Sequence, residues 1–430
     1  MVIRAWLIAG CLSLALWADE PLERLLEQYR SGPPSATLCD RIGIAYTQAG
    51  DLADAETFFR NALKINPTLL PARKNLGTVL WFLNRRAESE RQFREVAKAA
   101  PKDPVAQLYL GLSAYDRKEY HPAAAHLEAA GTLASANPEV YPVLIETYLE
   151  SGRAVEAARL LEASASSAST DPRIWTWLGK AYDRQSRPDD AYRAFLKAID
   201  SKPKADEGYL ALADFAAAHG NQAFAHEIIE RGIRNCPESA SIQLQAGILW
   251  AVNGDYDKAA KNFAAAEQLA PGWNLPLLAL GVAQLQAGKL AESASTFQKA
   301  SALDPNDYRA EYLYATSLSQ AGGQNDAAQR EQIKSALTRA VALNPKDAKS
   351  RVALAQVYVS ENRNEAAISE LKTALSIDAN ELTALYQLSL ARRRQGDIRE
   401  ATRLMQRFRS IKEKSHQDEN ELVQILKTVR

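Results

Sequence analysis

Residues 175–203 read WTWLGKAYDRQSRPDDAYRAFLKAIDSKP, and this stretch decides the fold. Gly179 and Ala191 lie twelve residues apart and place a small side chain in each of two predicted helices, so the two backbones can approach closely. Phe195, four residues further on, is bulky and fills the space between its helix and the neighbours. Pro203 lies 24 residues after Gly179 and ends the pattern. The stretch therefore predicts one unit of helix, tight turn and helix.

The same pattern returns along most of the chain. Prolines recur, several of them at intervals of 34 residues, the period of one class of helical repeat. They are Pro67, Pro101, Pro203, Pro237, Pro271, Pro305 and Pro345. The first small position of the unit is occupied by Gly43, Gly77, Gly111, Gly179, Gly247 and Gly281, with Ala213 and Ala355 as equivalents. This recurrence predicts that one helical unit is repeated through the chain.

Two kinds of punctuation separate the predicted helices. Inside the unit a glycine is suited to end the first helix in the left-handed conformation. These glycines are Gly50, Gly152, Gly220, Gly254, Gly288 and Gly396. Between units, an Asn or Asp before Pro predicts a capping side chain and a proline at the start of a helix. These dipeptides are at residues 66–67, 137–138, 171–172, 304–305 and 344–345.

Residues 36–412 resemble the tetratricopeptide repeat family. The family's pattern is best matched by Trp175, Leu178, Gly179, Tyr182, Ala191, Phe195, Ala198 and Pro203. The resemblance implies an all-α fold, a right-handed superhelical solenoid of about eleven helix-turn-helix units. The units begin near residues 36, 70, 104, 138, 172, 206, 240, 274, 308, 348 and 382. Ile145 replaces the small residue of the fourth unit, and about six extra residues around 321–327 lengthen the turn of the ninth.

The segments outside the repeats have their own patterns. Residues 1–18 are predicted to be a secretory signal, with Arg4 before an apolar run and cleavage after Ala18. We therefore expect an exported protein, periplasmic or secreted; an uncleaved anchor and a lipid on Cys11 are the alternatives. Residues 19–35 predict an N-terminal helix and linker. Residues 413–430 predict a helix that caps the open end of the stack, and its apolar side carries Leu422, Ile425, Leu426 and Val429.

The charge balance argues against nucleic acid as a partner, and the cysteine positions argue against a disulfide. The 52 basic side chains equal the 52 acidic ones, which argues against a protein that binds nucleic acid through the phosphate backbone. Without the signal only Cys39 and Cys236 remain, five repeats apart, too far to form a disulfide. We expect no transmembrane span in the mature chain, and the oligomeric state stays open.

The resemblance also implies where partners bind. In tetratricopeptide repeat proteins the first helix of each unit lines a groove for protein or peptide segments, at the second, fifth, ninth, twelfth and thirteenth places. Here those places give a charged section with Lys180, Arg184 and Asp214. Near the start of the groove they give an aromatic group with Trp81 and Tyr115. The apolar section consists of Leu244, Ile248, Leu275, Leu278, Val282 and Leu285. Packing between repeats is the alternative for the apolar and aromatic groups, and a solvated face for the charged one.

The sequence predicts no enzyme, cofactor or metal site. His121 and His126 are five residues apart and do not share a helix face, and neither an HExxH run nor a phosphate loop nor a GxSxG turn is present. We therefore predict an exported scaffold or adaptor for protein partners, serving envelope assembly or secretion. The alternative is a polysaccharide-binding protein, or a hydrolase that uses carboxylates such as Glu146 or Asp214.

Overall fold

The computed structural model describes residues 20–165, 171–322 and 326–414, and every regular element in those ranges is an α-helix. The chain divides into two compact units. Unit 1 comprises Met1–Ser169 and Ile174–Ala194, and unit 2 comprises Thr170–Arg173 and Phe195–Arg430. The predicted signal and the apolar residues of the predicted C-terminal cap lie outside the described residues. Within the described ranges no helix is long and apolar enough to cross a membrane.

Two helices flank or interrupt the pairs: α1 Leu22–Ser31 and the short α8 Thr132–Ser135. The other helices before residue 172 are α2 Ala36–Ala49, α3 Leu52–Ile65, α4 Leu70–Phe82, α5 Arg86–Ala99, α6 Pro104–Asp116, α7 Tyr120–Ala130, α9 Tyr141–Glu150 and α10 Ala154–Ala165. The division between the units runs through α11 Pro172–Arg184 and α12 Pro188–Ser201. The remaining helices belong to unit 2: α13 Glu207–Ala218, α14 Gln222–Asn235, α15 Ala240–Val252, α16 Tyr256–Leu269, α17 Asn274–Gln286, α18 Leu290–Leu303, α19 Tyr308–Gln320, α20 Ala327–Leu343, α21 Ala348–Ser360, α22 Asn364–Ile377, α23 Leu382–Arg394 and α24 Ile398–Lys414.

These helices form eleven pairs in the described part of the chain, and the predicted all-helical repeat fold is confirmed. In each of the two compact units, the two helices of a repeat pack on each other. The first helices of successive repeats also touch, as α2 and α4 do. Most first helices begin within one residue of the predicted start. The fourth begins three residues late, at Tyr141, because α8 and a turn at Asn137 occupy the chain before it.

The turn inside each repeat ends in a left-handed residue. The six predicted glycines and Gly322 have φ between +75° and +87°. At the same place the other four repeats carry Asn84, Lys118, Ser186 and Asn362, with φ of +58° to +61°. The glycine turn is therefore confirmed, and its geometry persists in the repeats that lack glycine, where the side chain opposes the conformation.

Close approach within a repeat explains the other glycines. A Cβ atom built on Gly281 would lie 2.6 Å from Cε1 of Phe297, the bulky residue of the second helix in the same repeat. Gly43 and Phe59 stand in the same relation, also at 2.6 Å. The phenyl ring lies on the bare helix backbone, so the small residue and the ring form one packing unit.

The expectation for the Asn-Pro and Asp-Pro dipeptides is wrong at four of five places. Only Pro172 opens a helix, with Asp171 Oδ1 accepting from Arg173 N at 2.9 Å. Elsewhere the dipeptide forms a turn before the helix begins. Asn66 is the C-cap of α3, and its Oδ1 accepts from Thr68 N at 3.0 Å. The side chain caps the backbone two residues ahead at all five places, and at these four the resulting local turn precedes helix entry.

The six extra residues of the ninth repeat are shared between its turn and its second helix. That helix, α20, has 17 residues, whereas the second helices of the repeats on either side have 14. Ile333 and Leu337 then fall at the small and bulky places of the repeat, and both are buried. The insertion therefore extends the turn and also adds most of one helical turn, while the core register beyond it is kept.

The two cysteines of the described residues, Cys39 and Cys236, are free and buried. Burial raises the pKa of both thiols, so neither is activated as a nucleophile.

Candidate functional site

The predicted apolar section is packed into the core of unit 2. Its members except Ile248 are nearly inaccessible, with 1% to 7% of their surface exposed. They are Leu244, Leu275, Leu278, Val282 and Leu285. The prediction of a partner-binding stripe is therefore wrong for these five, because α15 and α17 are apolar all round and a helix without a polar face is buried by its neighbours. Ile248 is half-buried against the same core.

The two basic residues of the charged section are exposed, and its charges are partly neutralised. Arg184 pairs with Glu150 at 2.7 Å and also donates to the carbonyl oxygen of Leu149. Both charged side chains of this pair are about two-fifths exposed, so the pair stabilises little. Lys180 is exposed. Asp214 is half-buried and accepts from Gln245 Nε2 at 2.7 Å.

The aromatic group is covered by its own neighbours. The guanidinium of Arg86 lies 3.5 Å from the centre of the Trp81 ring, and Tyr109 meets that ring edge-on. Tyr115 donates from its hydroxyl to Glu146 Oε2 at 2.5 Å. Burial, and next this carboxylate, raise the pKa of Tyr115. Glu146, one of the carboxylates considered for a hydrolase, is thus held by a hydrogen bond between successive first helices.

Other polar side chains on the first helices of unit 1 are joined in the same way. Lys74 pairs with Asp103 at 2.9 Å, and Asn75 Nδ2 donates to Asp40 Oδ1 at 3.0 Å. Burial raises the pKa of Asp40 to about 6. These contacts link one repeat to the next, so these polar groups stabilise the packing of the repeats and are already engaged within the protein.

Unit 2 contains an open site on the first helices of its last three repeats. A cleft of about 300 Å³ lies between α19, α21 and the start of α23. We call it the amide cleft; its lining residues are Tyr312, Ala315, Thr316, Ser319, Gln320, Leu337, Lys349, Val352, Ala353, Gln356, Glu381 and Thr383. The volume is at the small end of ligand pockets in proteins, enough for a short stretch of chain.

The amide cleft combines amide, hydroxyl and apolar side chains. Gln320 and Gln356 offer amide donors and acceptors, one exposed and one half-buried. Val352 and Ala353 give the floor an apolar part. At the rim Lys349 is exposed, and Glu381 accepts from Thr383 N at 3.1 Å. The cleft can therefore hydrogen-bond a backbone and hold a small apolar side chain.

The sequence already carried the signal for this cleft. Eight of the lining residues occupy the same places of the repeat that the family uses for partners. They are Tyr312, Thr316, Ser319, Gln320, Lys349, Val352, Gln356 and Thr383. The first helix of the ninth repeat begins at the predicted residue, and the prediction instead selected the apolar run of the seventh and eighth repeats.

No group of three or more His, Cys, Asp or Glu side chains in the described ranges is arranged to hold a metal ion. The polar groups of the amide cleft are amides, hydroxyls and one opposed pair of charges at the rim. Their arrangement supports recognition of a ligand by hydrogen bonds.

Comparison with known proteins agrees with the repeat pattern. Tetratricopeptide repeat models match residues 46–110, 143–206, 178–240 and 348–381. This chain contains tetratricopeptide repeats. Solenoids built from tetratricopeptide repeats are protein-interaction scaffolds, and repeats of this family generally carry no catalytic activity. No curated protein matches the chain.

Among solved structures, yeast Tom70 is similar at 15% identity, covering 90% of this chain and 92% of that one with a TM-score of 0.40. The APC/C hetero-tetramer Cut9-Hcn1 is similar at 18% identity, with 83% and 76% covered and a TM-score of 0.41. YrrB, described as a tetratricopeptide repeat protein with an unusual peptide-binding site, is similar at 19% identity, with 46% and 98% covered and a TM-score of 0.38.

Proposed function

We propose that this chain is an exported scaffold that holds a peptide segment of a partner protein in the amide cleft, without catalysing a reaction on it. The observation that carries the proposal is the convergence of partner-facing places from three successive repeats on one cleft of about 300 Å³. Export rests on the pattern of residues 1–18, which lies outside the described part of the chain.

The ligand is an extended chain, because its unpaired backbone groups need partners that a helix does not need. Gln320 and Gln356, on successive first helices, offer two such partners across the cleft. Val352 and Ala353 receive a small apolar side chain between them. Backbone contacts then supply affinity and this apolar contact supplies selectivity.

Affinity capture of partners from the native envelope fraction tests the scaffold. The bait is the mature chain, beside a variant with Gln320→Ala, Gln356→Ala and Thr383→Ala. The matched control changes Gln268→Ala, an exposed glutamine on the second helix α16. We expect a partner that the parent and the control retain and the cleft variant loses. Retention by all three proteins would contradict the proposed site.

Export is tested separately. N-terminal sequencing of the protein recovered from the envelope fraction should begin at Asp19 if the signal is cleaved after Ala18. Recovery of the chain in the cytosol with its first residues intact would contradict export and leave the cleft untouched.

A further inference from the structure

A second pocket lies in unit 1, where the second helices α5 and α7 flank the first helix α6, and its lining includes none of the groove positions considered above. It has a volume of about 450 Å³ and lies between α5, α6 and α7. Its apolar walls are formed by Ala97, Leu110, Ala114 and Pro122, and His126 closes one side. We call it the His126 pocket. Leu110 and Ala114 are buried core residues, so the floor is fixed by the packing of the third repeat.

The hydrogen bonds behind His126 determine which of its ring nitrogens carries the proton. Gln107 Nε2 donates to the carbonyl oxygen of Pro101 at 2.6 Å, and a carbonyl oxygen can only accept. The amide is therefore oriented with Oε1 toward His126, where the distance to Nδ1 is 2.6 Å. Since Oε1 can only accept, Nδ1 must carry the hydrogen.

In the neutral ring Nε2 is then an acceptor. Within the described residues of the chain Nε2 has no hydrogen-bond partner. Burial, and next the nearby Arg94, lower the pKa of His126, while Glu90 acts in the opposite sense. At neutral pH the ring stays uncharged and keeps its lone pair.

The charged side chains at the rim are already paired, Lys98 with Glu95 outside the pocket at 2.6 Å and the others with one another. Glu90 pairs with Arg94 at 2.6 Å and with Arg117 at 2.7 Å. Arg117 also pairs with Glu119 at 3.0 Å. A charged ligand would have to break these pairs, whereas an uncharged ring leaves them intact. The pocket lining therefore fits a ligand that has an apolar body and a single hydrogen-bond donor.

We propose that the His126 pocket binds an aromatic side chain whose edge carries an N–H donor, the indole of a partner's tryptophan, with the donor directed to His126 Nε2. The apolar walls contact the faces of the indole ring, and the imidazole of His126 accepts a hydrogen bond from its N–H. A buried aromatic ring in a pocket is the usual anchor of a protein interface. The His126 pocket shares no lining residue with the amide cleft, so the proposal for one site can be overturned without affecting the proposal for the other.

Two small probes test the proposal on the full chain. Indole has the ring and the donor, and 1-methylindole has the ring without the donor. Ligand-detected NMR titration should show indole bound about three- to tenfold more tightly, the range that one hydrogen bond supplies. No binding of either probe, or equal binding of both, would overturn the proposal.

Two variants locate the effect. His126→Phe keeps an aromatic wall and removes the acceptor, so it should bind both probes alike. Ala97→Leu fills the pocket from the half-buried face of α5 and should lose both. A preference for indole that survives His126→Phe, or binding that survives Ala97→Leu, would overturn the assignment.

A readout without ligand tests the tautomer itself. In protein labelled with ¹⁵N-histidine, the His126 imidazole, assigned by its loss in His126→Phe, should give the long-range correlations of the Nδ1–H form. The Nε2–H form would remove the acceptor on which the proposal depends.

Discussion

Asn75 donates a hydrogen bond to the buried carboxylate of Asp40 at 3.0 Å, and this contact joins the first helices of the first two repeats. Asp40 is only 8% exposed, and burial raises its pKa to about 6. The Oδ1 of Asn75 is buried and has no hydrogen-bond partner. The pair therefore stabilises the stack less at neutral pH than its position suggests.

Asp40→Asn should stabilise the protein at pH 8 by about 3 kcal/mol, the free energy that corresponds to a pKa shift from 3.8 to about 6. The folded state binds the Asp40 proton more tightly than the unfolded state, whose pKa is 3.8. This contribution is complete below the unfolded pKa and is lost as the pH rises through about 6. An asparagine has no proton to lose, and its amide can donate to Asn75 Oδ1. Urea unfolding of both proteins at pH 5 and pH 8 measures the difference, and a gain no larger at pH 8 than at pH 5 would contradict this account.

Gly281→Ala should destabilise the chain by about 1–3 kcal/mol, because its Cβ would lie 2.6 Å from the Phe297 ring. The control is Gly272→Ala, where nothing lies within 4 Å of the new Cβ. Thermal unfolding compares the variants. Equal effects at 281 and 272 would show that the ring contact is not the cause.

Lys118→Gly should stabilise the chain by about 0.5–1 kcal/mol. Lys118 has φ of +60°, a conformation that costs a non-glycine residue about 1–2 kcal/mol, and the greater freedom of an unfolded glycine offsets part of the gain. In the reverse experiment Gly50→Ala, at φ of +83°, should be destabilising. Opposite shifts of the melting temperature are expected, and a loss of stability in Lys118→Gly would be inconsistent with strain at this turn.

Leu278→Ala should cost about 2–5 kcal/mol of folding stability, since the side chain is 1% exposed in the core of unit 2. Val252→Ala is the matched control, because Val252 also occupies a partner-facing place of its repeat but is 47% exposed. Its effect should stay within about 0.5 kcal/mol. Chemical denaturation distinguishes the two, and similar small effects would restore Leu278 as a surface residue.

The sequence predicts the helix pairs and their turns well because both depend on local chemistry. Small residues allow close helices, and glycine permits the left-handed turn, so the period alone places these features. The role of Asn66 was missed because the same Asn-Pro signal fits a helix start and a turn before one. The burial of Leu244 and Leu278 depends on how neighbouring repeats cover the first helices, which no position in a single repeat records.

The amide cleft was within reach of the sequence and the His126 pocket was not. Gln320 and Gln356 occupy partner-facing places of the repeat in the register predicted from the sequence. His126 gives no such signal. Its acceptor depends on Gln107 and Pro101, whose contacts exist only after the two helices of the third repeat have packed together.

Photo-crosslinking in the native cells tests the central claim most directly. A benzophenone amino acid replaces Gln356 in the amide cleft, and in a parallel strain it replaces Gln268 on the second helix α16. The account predicts a crosslinked partner from position 356 that is absent from position 268, with the crosslink mapped to an extended segment of that partner. The same products from both positions, or a partner that crosslinks only at 268, would contradict it.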